Sequence, residues 1–176
     1  MKKYLRNAKI AILLAAISSL ISSGAVAASR VIVSGGGTGT FDADLDEDGD
    51  IDGSHFGIGV IIGEDGSAKG HFECLMAGNA DILGLPLMAV EGKVTAGSVS
   101  GDSATFSGVA TVNLANGNIF RAVPFTVTVT AGSAGVGTLQ LTVIGAFDGV
   151  PGDTNPGNGN YDLPVEIVDT GQISIH

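Results

Sequence analysis

Apolar and polar residues alternate at a spacing of two through much of the chain. Four segments show this most clearly, with apolar positions at Phe56, Ile58, Val60 and Ile62, at Phe106, Ala110, Val112 and Leu114, at Phe125, Val127 and Val129, and at Leu139, Leu141 and Val143. Residues at this spacing share one face of a β-strand. Because the intervening positions are largely threonine in the last two segments, the pattern predicts antiparallel strands with one buried and one solvent-facing side.

Short turn sequences separate the alternating segments. Asp65-Gly66 and Asn116-Gly117 each lie between two such segments, which is typical of a β-hairpin. Glycine, which destabilises helices, interrupts nearly every window long enough to be helical. We therefore predict an all-β domain at residues 28–176, an antiparallel β-sandwich or a closed β-barrel of about eight or nine strands. The predicted strands include those near residues 30–34, 54–63, 68–77, 103–114, 119–130 and 172–176.

Residues 79–90 are less regular. They are rich in leucine, isoleucine and methionine, but Pro86 disfavours a long regular element. A buried strand and a short helix that caps the sheet both remain open for this segment.

Residues 1–27 have the pattern of a secretory signal peptide. Four basic residues precede an apolar stretch at 10–21, and Ala25-Val26-Ala27 fits the small-residue rule for cleavage. A single membrane anchor is the competing interpretation, but the stretch holds about a dozen residues, and a spanning helix needs roughly 20. We therefore expect an exported protein, periplasmic or extracellular, with no membrane association after cleavage.

Charge excludes two classes of partner. The chain has 18 acidic and 8 basic residues, and four of the basic ones lie in the predicted signal peptide. So few cations cannot form a surface that binds nucleic acid or anionic lipid. The single cysteine, Cys74, cannot form a disulfide within the chain, and its apolar neighbours Phe72 and Met76 predict a buried thiol.

The densest acidic segment is residues 42–53, which read DADLDEDGDIDG. Its carboxylates repel one another unless a cation neutralises them or the segment stays extended in water. Calcium loops of the EF-hand type place side-chain ligands at positions 1, 3, 5 and 9, glycine at position 6 and a backbone carbonyl at position 7. The spacing of the aspartates therefore decides whether the segment matches this pattern.

Only one register of the acidic segment fits. Counting from Asp44 places Gly49 at position 6 and Ile51 at the apolar position 8, whereas counting from Asp42 or Asp46 places another residue type at position 6. The candidate metal ligands are Asp44, Asp46, Asp48, Asp50 and Asp52. Over these nine residues the segment resembles the calcium loops of EF-hand and dockerin proteins, and the resemblance implies calcium as the cofactor.

Two features depart from that resemblance. Position 12, where EF-hand loops have a bidentate glutamate, is His55, and the following residues have the pattern of a strand rather than a helix. Water or a distant carboxylate such as Glu64, Glu73 or Asp81 would have to complete the coordination shell. The alternative is an acidic loop that is solvated and binds no metal.

A second polar segment runs from Asp148 to Asp162 and contains further aspartates and asparagines. It offers oxygen ligands but no recognisable register. A long irregular loop in a compact domain is either functional or mobile, so metal binding and plain mobility both remain open for it.

Candidate catalytic groups are few. His71 and Glu73 would share one face of a strand, either as a proton-transfer pair or as an ordinary contact on the wet side of the sheet. Cys74 would point to the opposite face, which disfavours a zinc pair with His71. The sequence contains no nucleophile elbow, phosphate-binding loop or dinucleotide fingerprint.

The threonines of the alternating segments would lie on the wet face of the sheet. They are Thr126, Thr128, Thr130, Thr138 and Thr142. A flat surface for carbohydrate or ordered water is one interpretation, and ordinary solvent-facing threonine is the other.

Several segments are similar to those of small exported bacterial β-domains of unknown function. They are residues 35–41 (GGGTGTF), 70–72 (GHF), 104–108 (ATFSG) and 125–129 (FTVTV). The resemblance implies architecture and location but no catalytic residue. We therefore expect a secreted, non-enzymatic, calcium-stabilised domain with a structural or ligand-binding role at the cell surface or outside the cell. The alternative is a small secreted hydrolase that uses carboxylates or the His71/Glu73 pair.

Overall fold

The computed structural model describes residues 29–41, 52–77, 88–114 and 116–176. Within these ranges the chain forms ten strands and no helix. The strands are β1 (Arg30–Phe41), β2 (Gly53–Gly63), β3 (Ser67–Ala77), β4 (Met88–Ser100), β5 (Ser103–Leu114), β6 (Ile119–Thr130), β7 (Gly132–Ser133), β8 (Thr138–Ile144), β9 (Asn160–Asp162) and β10 (Glu166–Ile175). The predicted all-β antiparallel fold is confirmed. The predicted signal peptide and residues 79–87 lie outside the described ranges.

The strands form one sheet that closes on itself. Their order is β7-β10-β1-β2-β3-β4-β5-β6-β8-β9, and an additional pairing of β10 with β8 joins eight of them into a ring. That pairing is short, since it matches only Glu166 with Leu139 and Ile167 with Thr138. A closed ring leaves few unpaired backbone groups at sheet edges.

The predicted hairpins are confirmed. Residues 64–66 connect β2 to β3, and residues 115–118 connect β5 to β6. In the first turn, Gly66 has φ of +79°, a value that favours glycine. The Asp65 carboxylate accepts hydrogen bonds from the backbone N–H and the hydroxyl of Ser67, at 3.0 and 2.6 Å. These local contacts explain why turn sequences alone locate the hairpins.

The interior of the ring is filled by the apolar positions that alternation predicts. All of the residues named above for the four alternating segments are buried. At the centre, the Phe72 ring packs against Phe106 and Phe125, with centroid distances of 5.9 and 5.8 Å. The ring of Phe125 lies directly over Gly92 on β4, where a Cβ atom would collide with it.

The threonines lie on the outer side of the ring. Thr130 pairs with Thr138 and Thr126 with Thr142 across β6 and β8, as the prediction of a shared face requires. The Thr128 hydroxyl is 3.1 Å from that of Thr105 on β5. The outer face of β6 and β8 therefore presents hydroxyl groups at most of its paired positions, with Gln140 opposite Thr128.

The two ends of the ring differ. At one end the connections are short turns, at residues 64–66, 101–102 and 134–137. At the other end β1, β3 and β8 finish, and the longer connections begin there, at residues 42–52, 78–87 and 145–159. We call this second end the loop end. Among the described residues there is no helix long and apolar enough to cross a lipid bilayer.

Candidate functional site

Two buried carboxylates lie inside the ring at its loop end. Asp52 immediately precedes β2 and is 0% exposed, and Glu166 begins β10 and is 1% exposed. The last residue of β1 lies between them: the Phe41 N–H donates to the Asp52 carbonyl oxygen at 2.9 Å, and Phe41 pairs with Glu166 across the β1–β10 ladder. Carboxylates are rarely this buried, because removing their charge from water is costly.

The Glu166 side chain reaches across β1 to β2. Ser54, itself 2% exposed, donates a hydrogen bond from its hydroxyl to Glu166 Oε2 at 2.5 Å. Gly39 of β1 pairs with Ser54, and a Cβ atom at Gly39 would collide with the Glu166 carboxylate. The absence of a side chain at Gly39 therefore provides the space that the Glu166 side chain occupies.

Only one oxygen of the Glu166 carboxylate is hydrogen-bonded. Oε2 accepts from Ser54, whereas Oε1 is buried and has no hydrogen-bond partner among the described residues. Burial raises the pKa of Glu166 to about 7, although the hydrogen bond from Ser54 acts in the opposite direction. Glu166 is therefore suited to hold either a proton or a cation at its second oxygen.

The electrostatic effect of the two carboxylates extends to neighbouring groups. Burial raises the pKa of the Cys74 thiol, and the charge of Glu166 raises it further. Burial also raises the pKa of the Tyr161 hydroxyl, with added contributions from Asp153 and Asp52. Cys74 is buried as predicted, and a thiol that resists ionisation is a packing group rather than a nucleophile.

The structure describes one of the five predicted calcium ligands. Asp44, Asp46, Asp48 and Asp50 lie outside the described ranges, and only Asp52 is placed, with its side chain buried at the loop end. Within the described ranges, no group of three or more histidine, cysteine, aspartate or glutamate side chains is arranged to hold a metal ion.

Two of the three distant carboxylates considered for the coordination shell lie away from Asp52. Glu64 follows β2 at the opposite end of the ring, and Glu73 lies on the outer face with its side chain 63% exposed. Asp81 lies outside the described part of the chain. The buried carboxylate that the fold brings beside Ser54 at the loop end is Glu166, which the sequence analysis missed. The sequence around Glu166 does indicate that its side chain faces inward. It precedes the buried Val168 by two residues, and residues two apart on a strand share one face.

The second polar segment is organised by its own hydrogen bonds. Asp153 accepts backbone N–H bonds from Gly149 at 2.8 Å, from Asn155 at 3.0 Å and from Asp162 at 3.2 Å. Slight burial raises the pKa of the Asp153 carboxyl, but these donors outweigh that effect and the pKa lies below its ordinary value. Backbone donors therefore already bind the oxygens that a metal would need.

Asp148 plays a similar part in the same loop. Its two oxygens accept the N–H groups of Gly157 and Gly159, at 2.6 and 3.1 Å. Asp162 accepts from the Thr142 hydroxyl at 2.6 Å and from the Asn158 amide at 2.6 Å. Hydrogen bonds to aspartate carboxylates therefore hold this loop together.

Replacing Asp153 by alanine is expected to lower the free energy of unfolding by about 1–3 kcal/mol, because three N–H donors lose their shared acceptor. Urea unfolding at neutral pH measures the change. Asp169→Ala provides a matched control, since that carboxylate is exposed and accepts a long hydrogen bond of 3.5 Å from the Thr38 hydroxyl. Equal stability of the two variants would show that the Asp153 network is not needed for folding.

The His71/Glu73 pair lies on the outer face of the ring, as its spacing predicts. His71 Nε2 and Glu73 Oε2 are 3.9 Å apart, and the two side chains are 60% and 63% exposed. Glu73 also pairs with Glu91 across β3 and β4, beside a surface groove of about 300 Å³ that Leu75 helps to line. An ion pair this exposed contributes little to stability, and it lacks the burial with which active sites tune a general acid or base.

Comparison with protein-family models, with curated proteins and with solved structures gives no match for this chain.

Proposed function

We propose that the protein is an exported, non-enzymatic β-domain whose loop end is stabilised by calcium, with a structural or ligand-binding role at the cell surface or outside the cell. The pattern of residues 1–27 supports export. The proposed ligands are the five aspartates at alternate positions from Asp44 to Asp52.

The hydrogen bond from Phe41 to Asp52 carries the proposal. Because it joins the two ends of the acidic segment at 2.9 Å, residues 42–51 have to leave β1 and return to β2 within ten residues. A chain of ten residues with free ends can span roughly 33 Å, whereas the residues on either side of this segment, Phe41 and Asp52, are hydrogen-bonded to each other. Each pair of like charges at 4 Å costs about 1 kcal/mol even in bulk water, and a divalent cation offsets this repulsion.

The location of Asp52 also supports calcium binding. Asp52 is the last ligand of the proposed register. Its backbone is fixed by the β1–β2 ladder, and its side chain is buried. A side chain that is already held in place loses less conformational entropy on binding a cation than a mobile side chain does. Loops of extracellular proteins commonly bind calcium at roughly 10⁻⁴–10⁻³ M, which matches the concentration outside cells.

Calcium is expected to raise the thermal unfolding midpoint. At a calcium concentration about ten times Kd, binding stabilises a protein by about 1.4 kcal/mol, which for a domain of this size is several degrees. Differential scanning calorimetry in millimolar calcium and in chelator measures the shift. The double variant Asp46→Asn/Asp48→Asn should lose it, and Glu73→Gln, an exposed carboxylate on the outer face, should keep it. A wild-type midpoint that is the same with calcium and with chelator would contradict the proposal.

A secreted hydrolase is the second candidate. The observation in its favour is that Glu73 and Glu91 face each other across β3 and β4, next to the groove that His55 also lines. The exposure of these side chains favours the calcium-stabilised domain instead, because glycosidases and proteases rely on at least one desolvated acid or base.

A further inference from the structure

The ring of strands closes through a short junction. β10 pairs with β8 at two positions, Glu166 with Leu139 and Ile167 with Thr138, whereas β10 pairs with β1 at nine positions and β6 with β8 at six. We call these two pairs the closing junction. We propose that the closing junction is sensitive to pH: the ring stays closed while Glu166 holds a proton, and ionisation of Glu166 loosens the pairing of β8 with β10.

Glu166 belongs both to the closing junction and to the interior of the ring. Its backbone pairs with Leu139, and its side chain is 1% exposed. The carboxylate occupies the space left by Gly39 on β1 and reaches the Ser54 hydroxyl on β2, which donates to Oε2 at 2.5 Å. A change in the charge of this carboxylate therefore acts on one of the residues that close the ring.

The surroundings of the carboxylate favour its protonated form. Oε2 accepts from the Ser54 hydroxyl, but Oε1 is buried without a hydrogen-bond partner among the residues that the structure describes. An ionised carboxylate with so few donors is costly to bury, and a neutral carboxyl group costs far less. Burial therefore raises the pKa of Glu166 to about 7, although the hydrogen bond from Ser54 acts in the opposite direction.

No other titratable group inside the described ring compensates the charge of Glu166. The groups buried there are Asp52 before β2, Cys74 on β3 and Tyr161 on β9, and none of these side chains can carry a positive charge. The lysines, arginines and histidines of the described ranges are all exposed. An ionised Glu166 therefore gains most by reaching water.

The closing junction is the part of the ring that opens with the smallest loss of backbone pairing. On either side of Glu166 in the sequence, the Leu163 N–H donates to the Leu141 carbonyl oxygen at 3.0 Å, and the Val168 N–H donates to the Gly137 carbonyl oxygen at 2.9 Å. Separating β8 from β10 exposes fewer backbone groups than separating β10 from β1. Segments with few such bonds open locally before the whole domain unfolds.

Amide hydrogen exchange of Leu163 and Val168 tests the proposal. It is measured by NMR on the chain without its predicted signal peptide, in buffer with chelator and under conditions in which exchange follows the opening equilibrium. The closed junction keeps the proton of Glu166 up to about pH 7, whereas an opened carboxyl group ionises near its ordinary 4.5. The protection factors, corrected for intrinsic exchange, should therefore fall about fiftyfold between pH 5 and pH 8 and level off above pH 7.

Three variants connect this effect to Glu166. Glu166→Gln cannot ionise, so the protection of the two amides should not depend on pH. Ser54→Ala removes the donor that lowers the pKa of Glu166, so protection should continue to fall to a higher pH before it levels off. Glu73→Gln changes an exposed carboxylate on the outer face and should follow the wild type. If Glu166→Gln does not fold, the shift in Ser54→Ala still decides the test.

Comparison with global unfolding distinguishes a local opening from loss of the whole fold. The free energy of exchange of Leu163 and Val168 should be smaller than the free energy of unfolding in urea at each pH, because only the closing junction opens. If the two free energies are equal at every pH, or if the protection of both amides in the wild type does not change with pH, the proposal is wrong. Because chelator is present throughout, neither result depends on the calcium-binding function proposed above.

Discussion

Replacing Phe72 by alanine is expected to lower the free energy of unfolding by about 3–5 kcal/mol, a large share of the roughly 5–15 kcal/mol that stabilises a domain. Phe72 is 0% exposed and packs against Phe106 and Phe125. Its removal would leave a cavity between strands that are tied together by their backbone ladders, so the walls cannot move in to fill it. Equilibrium urea unfolding at pH 7 measures the loss.

Two variants make the Phe72 experiment specific. Phe72→Leu keeps most of the apolar volume and should lose less stability than Phe72→Ala. Phe120→Ala removes the same atoms from a side chain that is 41% exposed and should also lose less. If the three variants were equally stable, the aromatic cluster inside the ring would not be the centre of the core.

The strands and hairpins were predictable because they depend on local sequence. Alternation fixes which side chains of β2, β5, β6 and β8 point inward, and a shift by one residue would expose every one of them. The side chains of Asp65 and Asn116 accept hydrogen bonds from backbone N–H groups two residues further on. A stretch of four or five residues is therefore enough to predict each turn.

The closure of the ring was not predictable in the same way. β1 pairs with β10 over residues such as Val33 and Ile175, at opposite ends of the described chain. Such pairs leave no local pattern in the sequence, and both the sandwich and the barrel satisfy the same alternation. The structure resolves this choice as one sheet with a ring of eight strands.

The position of Glu166 also depends on contacts between residues that are far apart in the sequence. Its hydrogen bond joins it to Ser54, 112 residues earlier in the chain, and depends on the missing side chain of Gly39 on the strand between them. By contrast, Asp52 continues the inward series of Ser54 and Phe56, so its burial follows from spacing. Spacing alone is therefore sufficient to place Asp52 inside the ring, although the sequence analysis named it only as a metal ligand, and tertiary structure was needed to place Glu166.

Aspartate-rich loops have two physical explanations that sequence does not distinguish. The carboxylate of an aspartate can accept hydrogen bonds from backbone N–H groups or bind a cation, and the residue type alone does not show which of the two occurs. In the loop of Asp148 and Asp153 the structure shows N–H donors in that role. The acidic segment at 42–52 differs because aspartate recurs at every second position, which leaves few neutral residues to fold around each carboxylate.

Without calcium, the wild-type protein is expected to lose stability as the pH rises from 5 to 8, and Glu166→Gln is expected to lack that part of the loss. Burial raises the pKa of Glu166 from its ordinary 4.5 to about 7 in the folded state. Between these values the folded state holds a proton that the unfolded state has released, so stability falls with increasing pH and levels off above pH 7. The difference corresponds to about 2–3 kcal/mol between pH 5 and pH 8.

Urea unfolding at pH 5, 6, 7 and 8 in calcium-free buffer measures this difference between wild type and Glu166→Gln. The comparison cancels groups that both proteins share, and the carboxyls of Asp65 and Asp153, whose pKa values are lowered from 3.8, affect stability only in more acidic solution. Parallel profiles for the two proteins would mean that Glu166 titrates normally. A steeper fall for the wild type than for Glu166→Gln would show that the folded state holds a proton on Glu166 that the unfolded state has released.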